Sequence, residues 1–570
     1  MKIFILLTIF FSGFPLKSFP LVEQKNYVEE FVVQNKMDLL GSVDQQLNIE
    51  KELGNLFAES SKEDSILIAK RRKIRKKRRR KMKYSSRREL AKAMKLVKAL
   101  KYKEASKLLF RLAHSSHYKK YRNRIKYILG LLLYQMKLHQ VSAFQFISVI
   151  RSGDKKFIKQ SLEKLSLAAS YLGDDTLLNY AISRIAVDSF PKAHRDMLFY
   201  RIGEFQLRNE QYESAAKSFS RVSEKSEFFP QAKYMQALAY SYLRKNKKAI
   251  AAFEELIDAR ADRPVTDTPK VAAIMGLARV YYQMKDWDKS IEFYREVPRD
   301  HPLWHDTLFE SSWAMFRSGR FRSALGNFQS LHSPFYEKTY LPESLLVRSL
   351  VYLYICQYDE MEKVLNIFVK IYRPLFKKIN RYLKTQDNPL TYFKDIVLVL
   401  KGERQGHQEG VQYPIPLIAS RKILKEGDFR RSYDYIRALL SERRRLKQMP
   451  LWWRKSGVGR YANKILKRRL QKSRKRAGRL IRLHLLDIRE DLVDLFEQEG
   501  FIRYEMINGK KEALKKKLAN KELPPVKKQV DEDTTRDFYI QNGWQYYKFR
   551  GEYWLDELGN YHYVGNPSCK

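Results

Sequence analysis

Small and aromatic residues recur along residues 197–372 with a long period. Aromatic side chains stand at Phe219, Phe253, Tyr294 and Phe328, and small ones at Ala215, Ala249, Ser290 and Ala324, each four residues earlier. A second aromatic precedes the small residue by three at Tyr212, Trp287 and Phe321, with Asn246 in that place in the second unit. The steps are 34, 41 and 34 residues, and the longer step carries its extra residues in the turn-rich stretch 260–269. Spacings of three and four put these positions on one face of a helix. Each period therefore predicts two antiparallel helices. The small residue sits where their backbones come closest, and the aromatic one turn later fills the gap to the next pair. Such a pair has no core of its own and is stable only when stacked on others.

Weaker copies precede and follow. Ala93, Tyr102, Ala105 and Leu109 fit one unit, and Gly130, Ser142, Phe146 and Val149 a second. Residues 158–188 fit poorly. A looser last unit has Ser349 and Tyr358, with Met361 at the small position. Seven or eight hairpins are expected over 89–372.

This period and register resemble the tetratricopeptide repeat (TPR) superfamily. The resemblance implies an all-α, TPR-like α-solenoid, a right-handed superhelix of helical hairpins, whose concave groove takes other proteins. Its groove side chains would come from first helices: Tyr200, Gln206, Arg208, Tyr234, Gln236, Tyr240, Arg279, Tyr282 and Trp313. For most of the aromatics among them, core packing is the competing role. A narrower passage, Phe309–Phe316 with Ala324–Phe328, Ser333–Phe335 and Tyr340–Glu343, is similar to exported TPR proteins of gram-negative bacteria linked to surface motility or outer-membrane complexes. Phe549–Tyr561 and a cysteine beside the C-terminus share that similarity. It implies export to the periplasm or outer membrane and no particular activity.

The segments around the solenoid differ sharply in charge. Residues 1–20 read as a signal peptide, with Lys2 followed by an apolar run, Ile3–Phe11, too short to span a membrane comfortably. An uncleaved anchor helix is the alternative reading. Residues 21–69 form an acidic segment, with ten acids and four bases between Leu21 and Ala69. Residues 70–88 form a basic linker of fourteen bases and no acid. Like charges in such a block repel, so it reads as a disordered interaction tail, with a solvated linker or an intramolecular partner of the acidic segment as the competing readings. Its candidate contacts to an anionic surface are Lys70, Arg71, Arg72, Lys73, Arg75, Lys76, Lys77, Arg78, Arg79, Arg80 and Lys81.

After Tyr372 the repeat register is lost, and 373–530 read as a long basic helical arm or hairpin. Seventeen bases and no acid lie between Arg443 and Arg482. Arg468, Arg469, Lys475 and Arg476 are its candidate anion contacts. Leu466, Leu470, Ser473, Ala477, Leu480 and His484 step by four and three, a face suited to pairing with another helix, which leaves a basic ridge opposite. Trp452 and Trp453 beside Arg454 and Lys455 fit either a buried pair or an anchor at lipid headgroups. Residues 531–570 form an aromatic-rich terminal module. Turn signals there predict a small β meander over Trp544–Phe549, Glu552–Leu555 and Tyr561–Val564.

The net charge of +47 calls for an anionic partner. With export, the candidates are anionic lipid, lipopolysaccharide or a cell-wall polymer. Nucleic acid is the alternative that the export signal argues against. Two cysteines, Cys356 and Cys569, make neither a disulfide framework nor a zinc site. His114 and His117, like His301 and His305, lack the further ligands that zinc needs. No phosphate-binding loop or hydrolase elbow occurs. Glu310–Ser311 resembles the catalytic Glu-Ser of lytic transglycosylases, without that family's downstream segment. No cofactor is implied. The expectation is a non-enzymatic exported scaffold, with a nucleic-acid-binding repeat protein second and a cell-wall lytic enzyme third.

Overall fold

The structure, a computed structural model, describes residues 77–152, 155–173, 195–337, 339–405, 413–519 and 551–563. Its elements are helices: α1 (Lys77–Lys98), α2 (Tyr102–His114), α3 (Arg122–Gln135), α4 (His139–Arg151), α5 (Lys155–Leu172), α6 (Arg195–Arg208), α7 (Tyr212–Phe219), α8 (Phe229–Tyr242), α9 (Asn246–Asp258), α10 (Thr268–Gln283), α11 (Trp287–Arg295), α12 (Trp304–Arg317), α13 (Phe321–Leu331), α14 (Pro342–Tyr354), α15 (Tyr358–Thr385), α16 (Pro389–Gln405), α17 (Leu417–Lys425), α18 (Gly427–Gln448), α19 (Leu451–Arg454) and α20 (Gly457–Ala519). Among the described residues, no helix is long and apolar enough to cross a membrane.

Among the described residues, seven hairpins repeat one design: α1/α2, α3/α4, α6/α7, α8/α9, α10/α11, α12/α13 and α14/α15. In every case the second residue past the end of the first helix has positive φ: Leu100, Lys137, Glu210, Arg244, Lys285, Gly319 and Cys356. Each lies seven residues after the small residue of its first helix, from Ala93 to Ser349. The next amide bonds back to a carbonyl five residues earlier at 2.8–3.0 Å, as in Lys101 to Leu96 and Gln357 to Tyr352. This left-handed cap satisfies carbonyls that the helix end would otherwise orphan and reverses the chain within a fixed number of residues.

The small–aromatic register explains the core. Ala215, Ala249, Ser290 and Ala324 have no exposed surface, and Phe219, Phe253, Tyr294 and Phe328 are buried. Each such aromatic contributes about 2–3 kcal/mol by leaving water. Phe219 lies against its own unit's first helix, where a Cβ on Gly203 would come within 2.6 Å of its ring. Phe253 instead lies against Gly276 of the following unit. At Ser142 the small residue donates its hydroxyl to the Gly130 carbonyl at 2.9 Å. The long 41-residue step is closed by Arg260, which holds Asp267 through two hydrogen bonds, one of 2.7 Å. Asp267 also caps α10, accepting from the Lys270 amide.

Two compact units form. The first takes the described residues up to Lys248 with Asn388–Val397 and Ile423–Arg482; the second takes Ala249–Asp387, Leu398–Lys422 and the described residues from Leu483. In the second unit α15 runs 28 residues, through Pro374 and past the loss of repeat register at Tyr372. It pairs antiparallel with the end of α20. Phe496 meets Phe368 and Phe376, Arg503 donates to Asn366 at 3.2 Å, and Lys510 pairs with Glu362 at 2.7 Å.

Three expectations change. Residues 77–98 are helical, so the basic block is not an unstructured tail from Lys77 onward; Lys70–Lys76 lie outside the described residues. The buried stripe of α20 passes through Ile481 and Leu485, not Leu480 and His484, which are half-buried. Steps of four outnumber steps of three along it, so its period is nearer the 3.6 of an undistorted helix than a heptad's 3.5. Residues 551–563 contain no strand; the stretch Trp544–Phe549 lies outside the described residues. Their polar groups bond to α13 and to the loop before α12 instead of to a neighbouring strand. Gly559 donates to Ser330 Oγ at 2.7 Å, Gln329 donates to the Tyr553 hydroxyl at 2.7 Å, and Arg299 reaches the Asp556 carbonyl and the Asn560 side chain.

Candidate anionic-ligand surface

The basic stretch Arg443–Arg482 belongs to the first unit, and its apolar side is docked there. Glu442, just before it, reaches the start of α4 and accepts the Gln140 amide at 2.7 Å. Helix N-termini present unpaired amides and positive potential, so a carboxyl from another helix fits there. Burial nevertheless pushes its pKa up to about 8, against the pull of the Gln140 amide and Arg445. The same burial, with Arg445 and Lys137 nearby, brings His139 down to about 3. Arg445 donates to the Lys137 carbonyl at 3.1 Å. In α19, Trp453 is fully buried and its indole N–H donates to Ser106 Oγ at 2.9 Å. Val458, Ala462, Leu466, Leu470, Ser473, Ala477 and Ile481 continue the buried stripe along α20.

With that side fixed, the other side faces out. Arg460, Lys464, Lys467, Arg468, Lys472, Lys475, Arg476 and Arg479 are all exposed. None of these eight pairs with an acidic side chain among the described residues. Every turn of the helix carries at least one of these bases, about 5 Å along the axis from the next turn's, and Lys467–Arg468 and Lys475–Arg476 are adjacent pairs. Such a row attracts a surface or polymer of closely spaced negative charge more strongly than it would one small anion.

The four bases named from this stretch by sequence divide three to one. Arg468, Lys475 and Arg476 lie on the ridge. Arg469 is half-buried, with its guanidinium 4.9 Å from the Phe144 ring centre, and serves packing. Arg460, Lys464, Lys467, Lys472 and Arg479 were not singled out, although the apolar stride from Leu466 to Ala477 leaves them on the opposite face. In the basic block, Lys77, Arg78, Arg79, Arg80 and Lys81 form the first turns of α1. Lys70, Arg71, Arg72, Lys73, Arg75 and Lys76 lie outside the described residues.

Most of the expected groove side chains serve the core. Tyr200, Tyr234, Gln236 and Trp313 are buried, while Tyr240 and Tyr282 are half-buried. Arg279 is buried in a bidentate pair with Glu310 at 2.6 and 2.7 Å, and Glu310 also accepts from the Tyr294 hydroxyl at 2.7 Å. Burial first, and the Glu310 charge second, raise the Tyr294 pKa well above its ordinary value. A general acid needs a proton to give and substrate within reach. Glu310 is 2 % exposed, with both oxygens engaged, so the resemblance to a lytic transglycosylase stops at two letters of sequence. The paired histidines have local roles: His114 contacts the Phe110 carbonyl, and His301 accepts the Leu303 amide. Cys356 is disulfide-bonded. The chain's other cysteine, Cys569, lies outside the described residues.

The tetratricopeptide-repeat family model matches residues 234–303. Residues 234–303 are thus tetratricopeptide repeat, the class of helical repeat whose stacked surfaces bind other proteins. Three solved structures illustrate what the chain is similar to. A tetratricopeptide repeat protein from Parabacteroides merdae is 16% identical over 47% of this chain and 99% of its own, with a TM-score of 0.26. The apo form of RapI is 13% identical over 57% and 98%, with a TM-score of 0.33. Yeast Tom70 is 10% identical over 68% and 96%, with a TM-score of 0.20. A sequence comparison with curated proteins returns no match.

Proposed function

We propose that this protein is an exported scaffold of a bacterial cell envelope. Its tetratricopeptide solenoid takes protein partners, and its basic segments hold an anionic envelope component. The observation that carries the reading is the ridge on α20, where eight exposed bases stand opposite a docked apolar stripe with no acid among them. One feature supports export, the apolar run after Lys2.

The test is retention of the protein on envelope fractions as salt is raised. At about 0.5 M the screening length falls to a few ångströms, and the wild type should be released. A variant with Arg460, Lys464, Lys467 and Arg468 changed to Gln should be released at lower salt, as should one lacking 70–83. Retention that survives both high salt and these changes would remove the electrostatic half of the proposal. Retention abolished by nuclease would assign the ridge to nucleic acid, whose binding has the same salt dependence.

A further inference from the structure

Leu451 and Trp452 form an apolar tip on a basic surface. Leu451 is 55 % exposed and Trp452 43 %, while their neighbour Trp453 has no exposed surface. The buried Trp453, tied to Ser106, sets the rotation of α19 and turns the other two side chains out. Cations surround them. The Lys107 ammonium sits 5.4 Å from the Trp452 ring centre. Lys103, one turn earlier on α2, and Arg454 and Lys455, which follow Trp452, are exposed. Glu104 is the acid of α2, and the stretch Arg443–Arg482 has none.

We infer that this tip enters the headgroup layer of an anionic lipid bilayer. Leu451 and Trp452 would reach the acyl boundary, with Lys103, Lys107, Arg454 and Lys455 against lipid phosphates. The inference rests on reading the ridge as an anion-binding surface, and it names the source of the charge. A soluble polyanion satisfies the bases and leaves Leu451 and Trp452 in water. A bilayer satisfies both, because indole sits favourably at the headgroup level and apolar contact adds to electrostatic attraction there. Arg454 and Lys455 follow the apolar pair after the buried Trp453, as bases flank an interfacial anchor. Trp453, which belongs to the core, takes no part.

The experiment uses the full chain with vesicles of phosphatidylcholine and phosphatidylglycerol, vesicles of phosphatidylcholine alone, and soluble polyphosphate. Sedimentation measures partition, and lipids brominated near the headgroup report tryptophan depth. The protein should partition onto the anionic vesicles. Leu451→Ser with Trp452→Ser should weaken that partition roughly tenfold, the order expected from losing apolar burial at the interface. Lys107→Gln or Lys455→Gln should weaken it roughly fivefold each. Brominated lipid should quench the wild type and not Trp452→Phe. An unchanged thermal midpoint in the variants shows that they fold.

Partition that is indifferent to the double Ser change, with equal quenching in Trp452→Phe, would overturn insertion. Binding to polyphosphate but not to vesicles would overturn the lipid assignment and leave the ridge as an anion-binding surface. Binding to neither would overturn both.

Discussion

Glu310 accepts both guanidinium hydrogen bonds of Arg279 across neighbouring hairpins of the second unit, and a third hydrogen bond from Tyr294, with all three side chains out of water. The pair joins α10 to α12, and the tyrosine brings in α11. The first unit holds a comparable group, in which Glu204 receives Arg201 at 2.7 Å and the Tyr200 hydroxyl at 3.1 Å. Burying two charges is costly unless geometry and extra hydrogen bonds compensate. Removing one partner leaves the other charge buried alone. Glu310→Gln should therefore destabilise by about 3–5 kcal/mol, read from chemical denaturation. A loss under about 1 kcal/mol would mean water reaches Arg279, as for an exposed pair.

The seven left-handed turns make a graded prediction. Six carry a side chain at positive φ, where an L-residue is strained by roughly 1–2 kcal/mol. Lys285 is exposed there with φ of 66°. Lys285→Gly should raise stability by a few tenths to about 1 kcal/mol, because relief of strain outweighs glycine's greater unfolded entropy. Gly319, at φ of 78°, runs the other way, and Gly319→Ala should lose about 1 kcal/mol. Thermal unfolding of the two variants checks the opposite signs.

Glu442 makes stability depend on pH. Its folded pKa, about 8, lies above the ordinary 4.5. Between those values the unfolded chain has released the proton and the folded chain still holds it. Stability therefore falls as pH rises through this window, by up to about 1.4 kcal/mol per unit, and levels off above it. His139 acts on the acid side: with its pKa lowered from 6.5 to about 3, stability falls as pH drops through that range. Glu442→Gln keeps an acceptor for the Gln140 amide and removes the alkaline fall. Its thermal midpoint should gain on the wild type steadily from about pH 5 to 8. A constant difference across that range would contradict the assignment.

The C-terminal segment depends on one glycine. Gly326 on α13 faces the backbone of Tyr561, and a Cβ there would collide with the Tyr561 carbonyl. Leu558 is buried nearby in sequence, and the Tyr563 ring meets that of Tyr352. Gly326→Ala should lift residues 551–563 from the helices, because the obstructing atoms are main chain and cannot rotate aside. Limited proteolysis should then cleave within 551–563 many times faster, with little change in helix content. Protection equal to the wild type would show the segment held by its side chains alone.

The repeat was legible because its signal is local: Ala215 and Phe219, or Ala324 and Phe328, stand four apart at sites where only small or flat side chains fit. The left-handed caps were not legible. Only Gly319 has the residue type that such a cap favours, and Lys137, Glu210 or Lys285 carry no local sign of it. The apolar stride of the basic stretch correctly placed Leu466 to Ala477 on one face, yet it could not say what that face meets. Glu442 finds its partner at Gln140, some three hundred residues earlier, and Trp453 finds Ser106. The aromatic terminal run suggested strands from composition. Its turn is fixed instead by a bond to Ser330 and bonds from Gln329 and Arg299, which no property of residues 551–563 announces.

Fractionation of the native protein, with N-terminal sequencing of its mature form, tests the envelope scaffold most directly. The account predicts periplasmic or outer-membrane protein cleaved near residues 13–20, released from that fraction by salt. An intact N-terminus on protein found in the cytoplasm would contradict it and make nucleic acid the leading partner of the α20 ridge.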